Sequence, residues 1–313
     1  MVNDNMKIVI IIPAFNEEST IAGTILSFHQ NLPEAEIWVV NNRSKDDTEK
    51  IAFEIQKELG YKGGILNEPR AGKSNAIRRA FFEIKSDIYI LTDADMTYPA
   101  ERVRDLIKPV LAGDADMVVG DRHSAGYYAA ENRRVFHGFG NRLVRDLVNF
   151  LFQTVLMDIM SGYRALNSRF VRNYPILVEG FELETDMTLF ALDKRFRIVE
   201  IPIEYRDRPS GSRSKLNTFR DGAKVIFTIL NIFRHYRPLL FFGSLAIILG
   251  LTGFLAAIPV FMDWMTKHFI YHIPLAILAT GLEIAAMLTV SIGLILDSIN
   301  HQEKCQFERE LLK

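Results

Sequence analysis

The sequence predicts an α/β domain on a mainly parallel sheet, followed by amphipathic juxtamembrane helices and a two-helix transmembrane hairpin. Three observations predict it. Short Val/Ile/Leu-rich runs alternate with helical stretches from Lys7 to about Gly120. Polar and acidic residues gather just after those runs. Two long apolar segments nearly free of charge follow Pro238.

The expected strands are Lys7–Ile12, Ile37–Val40, Gly64–Leu66, Ile88–Thr92 and Met117–Val119. Their unbroken apolar character suits strands buried on both faces. The expected helices are Ser19–Gln30, Asp46–Leu59, Ser74–Lys85 and Glu101–Ala112. Ser44 is a fitting N-cap for the second helix, with Asp46 and Asp47 in its first turn. Gly60 is placed to end it. Strand–helix alternation implies parallel strands joined by right-handed crossovers. Ligands of such sheets sit beyond the carboxyl ends of the strands. The segments there are Pro13 to Glu18, Asn41 to Ser44, Asn67 to Lys73, Asp93 to Asp95 and Gly120 to Arg122.

Residues 206–237 change character. Leu216, Phe219, Ala223, Ile226, Phe227, Leu230 and Phe233 fall on one helical face. Arg220, Lys224, Arg234 and Arg237 lie nearby. Such a helix either lies on an anionic membrane surface or packs on the domain. Leu239–Met262 carries no charge, and roughly 24 residues can cross the hydrocarbon layer. Ile273–Leu296 is similar, with one acid, Glu283. That acid either has a functional partner or faces a neighbouring subunit or headgroups. Arg234 and Arg237 precede the first span, and Lys304, Arg309 and Lys313 follow the second. The positive-inside rule then puts both chain ends in the cytoplasm. The expected parts are a catalytic domain over 1–205, juxtamembrane helices over 206–237, a hairpin over 238–297 and a tail over 298–313.

Composition narrows the function. The chain has 313 residues and a formal net charge of -1, which excludes a general nucleic-acid binder. Its single cysteine, Cys305, leaves no internal disulfide and fits a reducing compartment. The apolar run Ile8–Ile12 is too short for a signal peptide and reads as a strand.

The chemistry-bearing residues sit at the strand ends. Asp93-Ala94-Asp95 offers two carboxylates, suited to a hard divalent cation that shares ligands with substrate phosphates. The bland reading is a cap for the following helix, served by Asp95 or Thr97 alone. Ala71-Gly72-Lys73-Ser74 resembles part of a P-loop, but Asn67 stands where the first glycine is needed. Lys73 still opens a helix, where anions are favoured, so Arg70 and Lys73 are candidates to hold a diphosphate. Gly138-Phe139-Gly140 is no dinucleotide fingerprint, because Leu143 takes the third glycine position. Arg122, Arg133 and Arg134, with His123 and His137, form a second basic group suited to phosphate.

These motifs, with Val40-Asn41-Asn42-Arg43-Ser44, resemble the inverting family 2 glycosyltransferases of GT-A fold. Ser161-Gly162-Tyr163-Arg164-Ala165, Phe181-Glu182-Leu183-Glu184, Arg208 and Ser214-Lys215-Leu216 narrow the resemblance. They are similar to the dolichyl-phosphate mannose synthase branch, which includes bacterial undecaprenyl-phosphate glycosyltransferases. The resemblance covers about Lys7 to Arg237. It implies a Rossmann-like, mixed but mainly parallel sheet, a nucleotide-sugar donor and a polyprenyl phosphate acceptor. It further implies Mg²⁺ or Mn²⁺ as cofactor, a bacterial plasma membrane and a possible homo-tetramer. By the same resemblance Pro13, Ala14, Asn16, Glu17, Asn42, Arg70, Lys73, Asp93 and Ala94 would line the nucleotide. Asp93 and Asp95 would hold the metal. Arg122, Arg133, Arg208 and Lys215 would grip the acceptor phosphate. Asp95, Arg122, Lys73 and Glu184 are the expected catalytic residues, with Asp186 near the acceptor side.

Two departures carry expectations. Many relatives have aspartates where this chain has Asn41 and Asn42, and an Asn amide can match the edge of uracil. That favours a uridine-linked donor, with glucose or N-acetylglucosamine expected. Thr97 stands where many relatives carry a metal-binding Gln or His, so a hydroxyl or a water would fill that position. The rival readings are a processive polysaccharide synthase, a non-catalytic membrane scaffold and a sugar nucleotidyltransferase. The first needs a Gln-x-x-Arg-Trp segment, and neither Trp38 nor Trp264 follows an Arg.

Overall fold

A computed structural model describes residues 6–124, 135–178, 183–206 and 229–312. The chain divides into two compact units, Met1–Thr218 and Phe219–Lys313.

The first unit is built on a seven-stranded sheet of order β3-β2-β1-β4-β6-β5-β7. The strands are β1 Ile8–Ala14, β2 Glu36–Asn41, β3 Gly63–Asn67, β4 Ile88–Leu91, β5 Met117–Asp121, β6 Arg164–Asn167 and β7 Ile198–Pro202. All are parallel except β6, which runs antiparallel between β4 and β5. The five expected strands are present. The expectation stopped at Val119 and lacked β6 and β7. A four-residue strand that opens on an arginine gives no apolar run to read.

The antiparallel strand matters for position. Arg164 at the start of β6 is in register with Leu91 at the end of β4 and with Val119 near the end of β5. The segment leading into β6 therefore arrives at the same edge as the carboxyl ends of β1, β2, β4 and β5. Strand–helix alternation alone would place nothing there.

The helices of this unit are α1 Ile21–Asn31, α2 Thr48–Leu59, α3 Lys73–Glu83, α4 Val103–Leu111, α5 Val135–Phe152, α6 Ser168–Asn173 and α7 Leu183–Asp193. The core forms around β1, where Ile10, Ile11 and Ile12 are fully buried. Ile8, Ile10 and Ile12 meet Ile21, Ile25 and Phe28 of α1 and Val103, Leu106 and Ile107 of α4. Helix α3 lies against β1 and β2. Burial of each such side chain contributes about 1.5–3 kcal/mol.

Two helix ends correct the sequence reading. Ser44 does not cap α2; Asp47 precedes the helix, and Asp46 Oδ1 accepts the Thr48 N–H at 3.2 Å. The loop 42–47 is instead drawn toward residues 16–18, which employ Ser44. Helix α4 begins after a 3-10 turn at Ala100–Arg102. Gly60 ends α2 as expected, with φ 64°.

The second unit holds α8, Pro238–Lys267, and α9, Ile273–Leu311. Both are long and apolar enough to cross a membrane. They extend past the expected spans, so most of the expected tail is helical. Ala246 and Gly253 on α8, and Ala279, Ala286 and Gly293 on α9, are buried small residues of the pair. They recur every seven residues and let the backbones approach closely. A Cβ on Gly253 would stand 3.1 Å from Leu282 Cβ and 2.9 Å from Glu283 Oε1. Glu283 thus lies along α8 rather than away from it. Asp263 closes the turn by accepting the Tyr271 N–H at 3.0 Å and pairing with His272 Nδ1 at 2.7 Å. Of the expected amphipathic stretch, 229–236 are helical; 207–228 lie outside the described residues.

Gly63 generates a prediction. Its φ is 122°, and an added Cβ would stand 2.0 Å from the Ile37 carbonyl oxygen. Gly60 has φ 64° and nothing within 4 Å. Gly63→Ala should destabilise by well over ~1 kcal/mol and Gly60→Ala by no more than about that. Thermal unfolding in detergent checks this, and equal midpoints for the two variants would contradict it.

Candidate active site at the carboxyl edge of the sheet

Three loops at this edge are laced together. Asn16 has φ 55°, donates its N–H to Ser44 Oγ at 3.0 Å and accepts the Lys45 N–H on Oδ1 at 2.8 Å. The Glu17 N–H donates to Thr48 Oγ1 at 2.8 Å. Pro13, Ala14, Asn16 and Glu17 therefore form one rim with the 44–48 turn.

The two asparagines link the rest. The Asn42 amide donates to the Arg70 carbonyl at 2.6 Å and the Glu68 carbonyl at 3.3 Å, and its Oδ1 accepts the Gly72 N–H at 2.7 Å. Asn41 donates to Glu49 and Asn67 at 2.8 and 2.9 Å and accepts the Ser44 N–H at 3.1 Å. Both residues are buried. The Asn42 amide, expected to match the edge of uracil, makes all of these bonds to its own chain. It is a backbone staple, because the 67–72 loop presents unpaired carbonyls and an N–H that must be satisfied.

Arg70 is engaged within its own loop. Its Nε and Nη2 fork onto Glu68 at 2.7 and 2.8 Å. Glu68 is almost fully buried and needs that counter-charge. The Arg70 hydrogen bond holds the Glu68 carboxyl down at about 2.

Lys73, further along this loop, turns its ammonium toward carboxylates of two other elements. Gly72, with φ 118°, leads directly into α3, and Lys73 is its first residue. The ammonium lies 2.5 Å from Asp93 Oδ1 and 2.6 Å from Glu184 Oε1. Burial would lower the Lys73 pKa, but Asp93 and Glu184 outweigh it and raise the net value. A Cβ on Gly162 would come within 2.9 Å of the same ammonium and 3.2 Å of Asp93 Oδ2. The structure thus gathers Lys73, Asp93 and Glu184 from α3, the β4 end and α7, and any side chain at Gly162 would displace the ammonium or the carboxylate.

Asp95 is buried and accepts the Thr97 N–H and hydroxyl on Oδ1, at 3.2 and 2.5 Å. These bonds close a local turn and cap no helix, since the following helices are preceded by Pro99 and Arg102 without side-chain cap bonds. The Ala94 carbonyl accepts from Thr24 Oγ1 at 2.9 Å, which fixes the turn between the two aspartates. Among the described residues no three His, Cys, Asp or Glu side chains converge on a metal position. The donor set still fits a hard divalent ion: two carboxylates from one turn, with the remaining ligands to come from phosphate oxygens and water.

A second charged pair sits nearby. Arg122 gives Nε and Nη2 to Asp158 at 2.7 and 3.0 Å and lies 5.4 Å from the Tyr205 ring. Burial pushes the Asp158 carboxyl up, but Arg122 dominates and its pKa is lowered. The expected grip of Arg122 on phosphate is in this structure a fork onto Asp158, a residue the sequence reading missed. Asp186 pairs with Tyr174 at 2.7 Å. Arg133, Arg134, Arg208, Lys215, Phe181 and Glu182 lie outside the described residues, as does the side chain of His137.

Asp158, Tyr98, Gly162 and Arg164 are the positions around the site that strand-end reasoning passed over. All but Tyr98 belong to the segment entering β6. Arg164 is fully buried and directs Nε to the Ser161 carbonyl at 2.8 Å and Nη2 to the Ile159 carbonyl at 2.9 Å. Tyr98 Oη accepts the Gly162 N–H at 2.8 Å. The only signal in the sequence was the Ser161–Ala165 motif.

Comparison with known proteins follows the same lines. The profile of "Glycosyl transferase family 2" matches residues 9–174. Glycosyltransferase AglJ of Haloferax volcanii is 26% identical over 301 residues, 96% of each chain. Dolichol-phosphate mannosyltransferase of Pyrococcus furiosus is 28% identical over 260 residues, 80% of this chain and 70% of its own. Glucosyl-3-phosphoglycerate synthase from Mycobacterium tuberculosis, solved with Mn²⁺, uridine diphosphate and phosphoglyceric acid, has the same fold. Its TM-score is 0.59 at 21% identity, over 74% of this chain and 79% of that one.

The Glu68–Arg70 fork predicts a pH dependence. A carboxylate lowered from 4.5 to about 2 stabilises the fold above pH 4.5 and loses that contribution as pH falls toward 2. Arg70→Met should lower the thermal midpoint at pH 7, and the gap to the unmodified chain should close between pH 4.5 and 2. A gap constant with pH would refute the assignment.

Proposed function

The chain belongs to glycosyl transferase family 2, and on that footing we propose that it moves a hexose from a nucleotide-sugar to a polyprenyl phosphate, with inversion, at the cytoplasmic face of a membrane. One observation carries the reading. Asp93, Asp95 and Lys73 meet at the sheet edge of a chain that also holds two helices of membrane-crossing length. Relatives named dolichol-phosphate mannosyltransferase and polyprenol monophosphomannose synthase support the acceptor class.

The reaction is a direct displacement. An acceptor phosphate oxygen bonds to the anomeric carbon while the bond from that carbon to the donor's diphosphate breaks, and the electron pair leaves with the diphosphate. An α-linked donor gives a β-linked lipid. The acceptor's second pKa is about 6, so it is largely dianionic near neutral pH and needs no strong base. The protein's task is to offset repulsion between two polyanions. Asp93 and Asp95 would hold Mg²⁺ or Mn²⁺, which supplies charge neutralisation for the leaving diphosphate. Lys73 adds a fixed positive charge at the start of α3, where the helix N-terminus also favours anions. Gly162 lies beside Lys73 and Asp93, and the Asp158–Arg122 pair would shape the acceptor side.

For the donor, the reading keeps uridine-linked glucose or N-acetylglucosamine. Its support is the same-fold neighbour bound to uridine diphosphate, not Asn42. Arg234, Arg237, Lys304 and Arg309 flank α8 and α9 on one side and support cytoplasmic chain ends. The division proposed is a catalytic domain over 1–205, a juxtamembrane stretch over 206–237 and a hairpin over 238–297.

Two measurements test this. Purified protein in detergent receives undecaprenyl or dolichyl phosphate, Mg²⁺ or Mn²⁺ and a panel of UDP- and GDP-sugars, with lipids read by mass spectrometry. One new glycosyl-phosphoryl-lipid is expected. No product from any pair, with nucleotide still bound, would favour a non-catalytic scaffold. Asp95→Asn should cost turnover at least about 100-fold while the thermal midpoint holds; unchanged turnover would remove the metal assignment.

A further inference from the structure

Glu184 poses a question that the acceptor's chemistry sharpens. A phosphate acceptor is already ionised near neutral pH, so transfer asks no carboxylate to take a proton. Yet Glu184 is buried at the site, in the first turn of α7. Its Oε1 accepts from Lys73 Nζ at 2.6 Å, and the same ammonium lies 2.5 Å from Asp93 Oδ1.

A lysine head is a compact charge on a flexible four-carbon stem with three rotatable donors. One carboxylate partner leaves it free to swing about that partner. Two carboxylates on different elements, with the Gly162 backbone against a third side, define a position. The anchors are independent in sequence: Asp93 follows β4, Glu184 opens α7 and Gly162 enters β6. The backbone of Glu184 belongs to a buried helical turn, where Thr188 Oγ1 donates to the Glu184 main-chain carbonyl at 2.9 Å. Asp93 serves the metal position as well, and its hold on Lys73 competes with that role. Glu184 has no metal position to serve, although its charge also offsets the burial of Arg164.

We propose that Glu184 is a positioning residue that fixes the Lys73 ammonium beside Asp93, at the point where charge develops on the leaving diphosphate, and that it takes no proton during transfer. The inference rests on the reading of the function given above. It separates Glu184 from the acid–base role that its burial at a glycosyl-transfer site invites.

The test uses the full chain in detergent with Glu184→Gln and Glu184→Ala. Glutamine keeps an oxygen that accepts from Lys73, so kcat should fall no more than about tenfold. Alanine removes the anchor, and kcat should fall about 100-fold with the KM for lipid phosphate little changed. In a Lys73→Met background, Glu184→Ala should cost less than about threefold more, since the two act as one unit. A glutamine variant as inactive as the alanine variant, or equal costs in both backgrounds, would overturn the proposal. Binding gives a readout apart from turnover. Glu184→Ala should weaken UDP about tenfold and leave UMP unchanged, because only the second phosphate reaches Lys73. If the unmodified chain makes no glycosyl-phosphoryl-lipid but this binding contrast holds, the functional reading falls and the Glu184 assignment stands. If product forms and the contrast is missing, the assignment falls alone.

Discussion

A single buried guanidinium underlies the site. Arg164 has no exposed surface, and it bonds two carbonyls of the segment that precedes it, at Ser161 and Ile159. Its third face meets Met117 Sδ at 3.2 Å. Burial lowers its pKa, with Glu184 and Asp158 acting the other way. An arginine remains charged under that penalty. Removing a buried charge's partners typically costs several kcal/mol, so the segment 158–162 is tied to the arginine as firmly as the arginine is tied to the core. That segment carries Asp158, which holds Arg122, and Gly162, which abuts Lys73 and Asp93. The position of both site cations traces back to one side chain on an antiparallel strand.

The charges of the site are already neutralised in pairs before any substrate is considered. Lys73 faces two carboxylates, Arg122 faces Asp158, and Arg70 faces Glu68. This arrangement keeps each buried ion from standing alone, which would be expensive. It also means that an incoming polyanion gains affinity only by exchanging one set of partners for another. On the proposed reading, a divalent ion held by Asp93 and Asp95 would favour that exchange by supplying positive charge to the incoming phosphates. The pairs furthest from the carboxylate turn, Glu68–Arg70 above all, hold loops rather than ligands.

Much of the fold was legible because its strands are written as apolar runs. β1, β2, β4 and β5 announce themselves through Ile8–Ile12, Ile37–Val40, Ile88–Leu91 and Met117–Val119. β6 did not, because Arg164-Ala165-Leu166-Asn167 has the look of a loop and its arginine is an unusual core residue. The acidic pair Asp93 and Asp95 and the helix-opening Lys73 were legible from chemistry and spacing. Their partners were not. Asn42 meets residues 26 to 30 positions later, Arg122 meets one 36 positions later and Lys73 meets one 111 positions later. Residue type suggests what a side chain can bind, whereas only the topology says what reaches it first. Asn42 and Arg70 were read as ligand-facing for that reason, and both turned out to be satisfied by their own chain.

Helix α9 has a further mechanical meaning. At about 1.5 Å per residue its 39 residues extend roughly 58 Å, nearly twice the hydrocarbon thickness of about 30 Å. Its last part, from Asp297 to Leu311, carries Glu303, Lys304, Glu308, Arg309 and Glu310 and is suited to water. If the proposed hairpin spans a bilayer, this part would project as a stiff post instead of a loose cord. Whatever is joined to its far end is held at a set height, so a fluorophore placed there acts as a ruler whose reading shifts by one residue's rise for each residue removed.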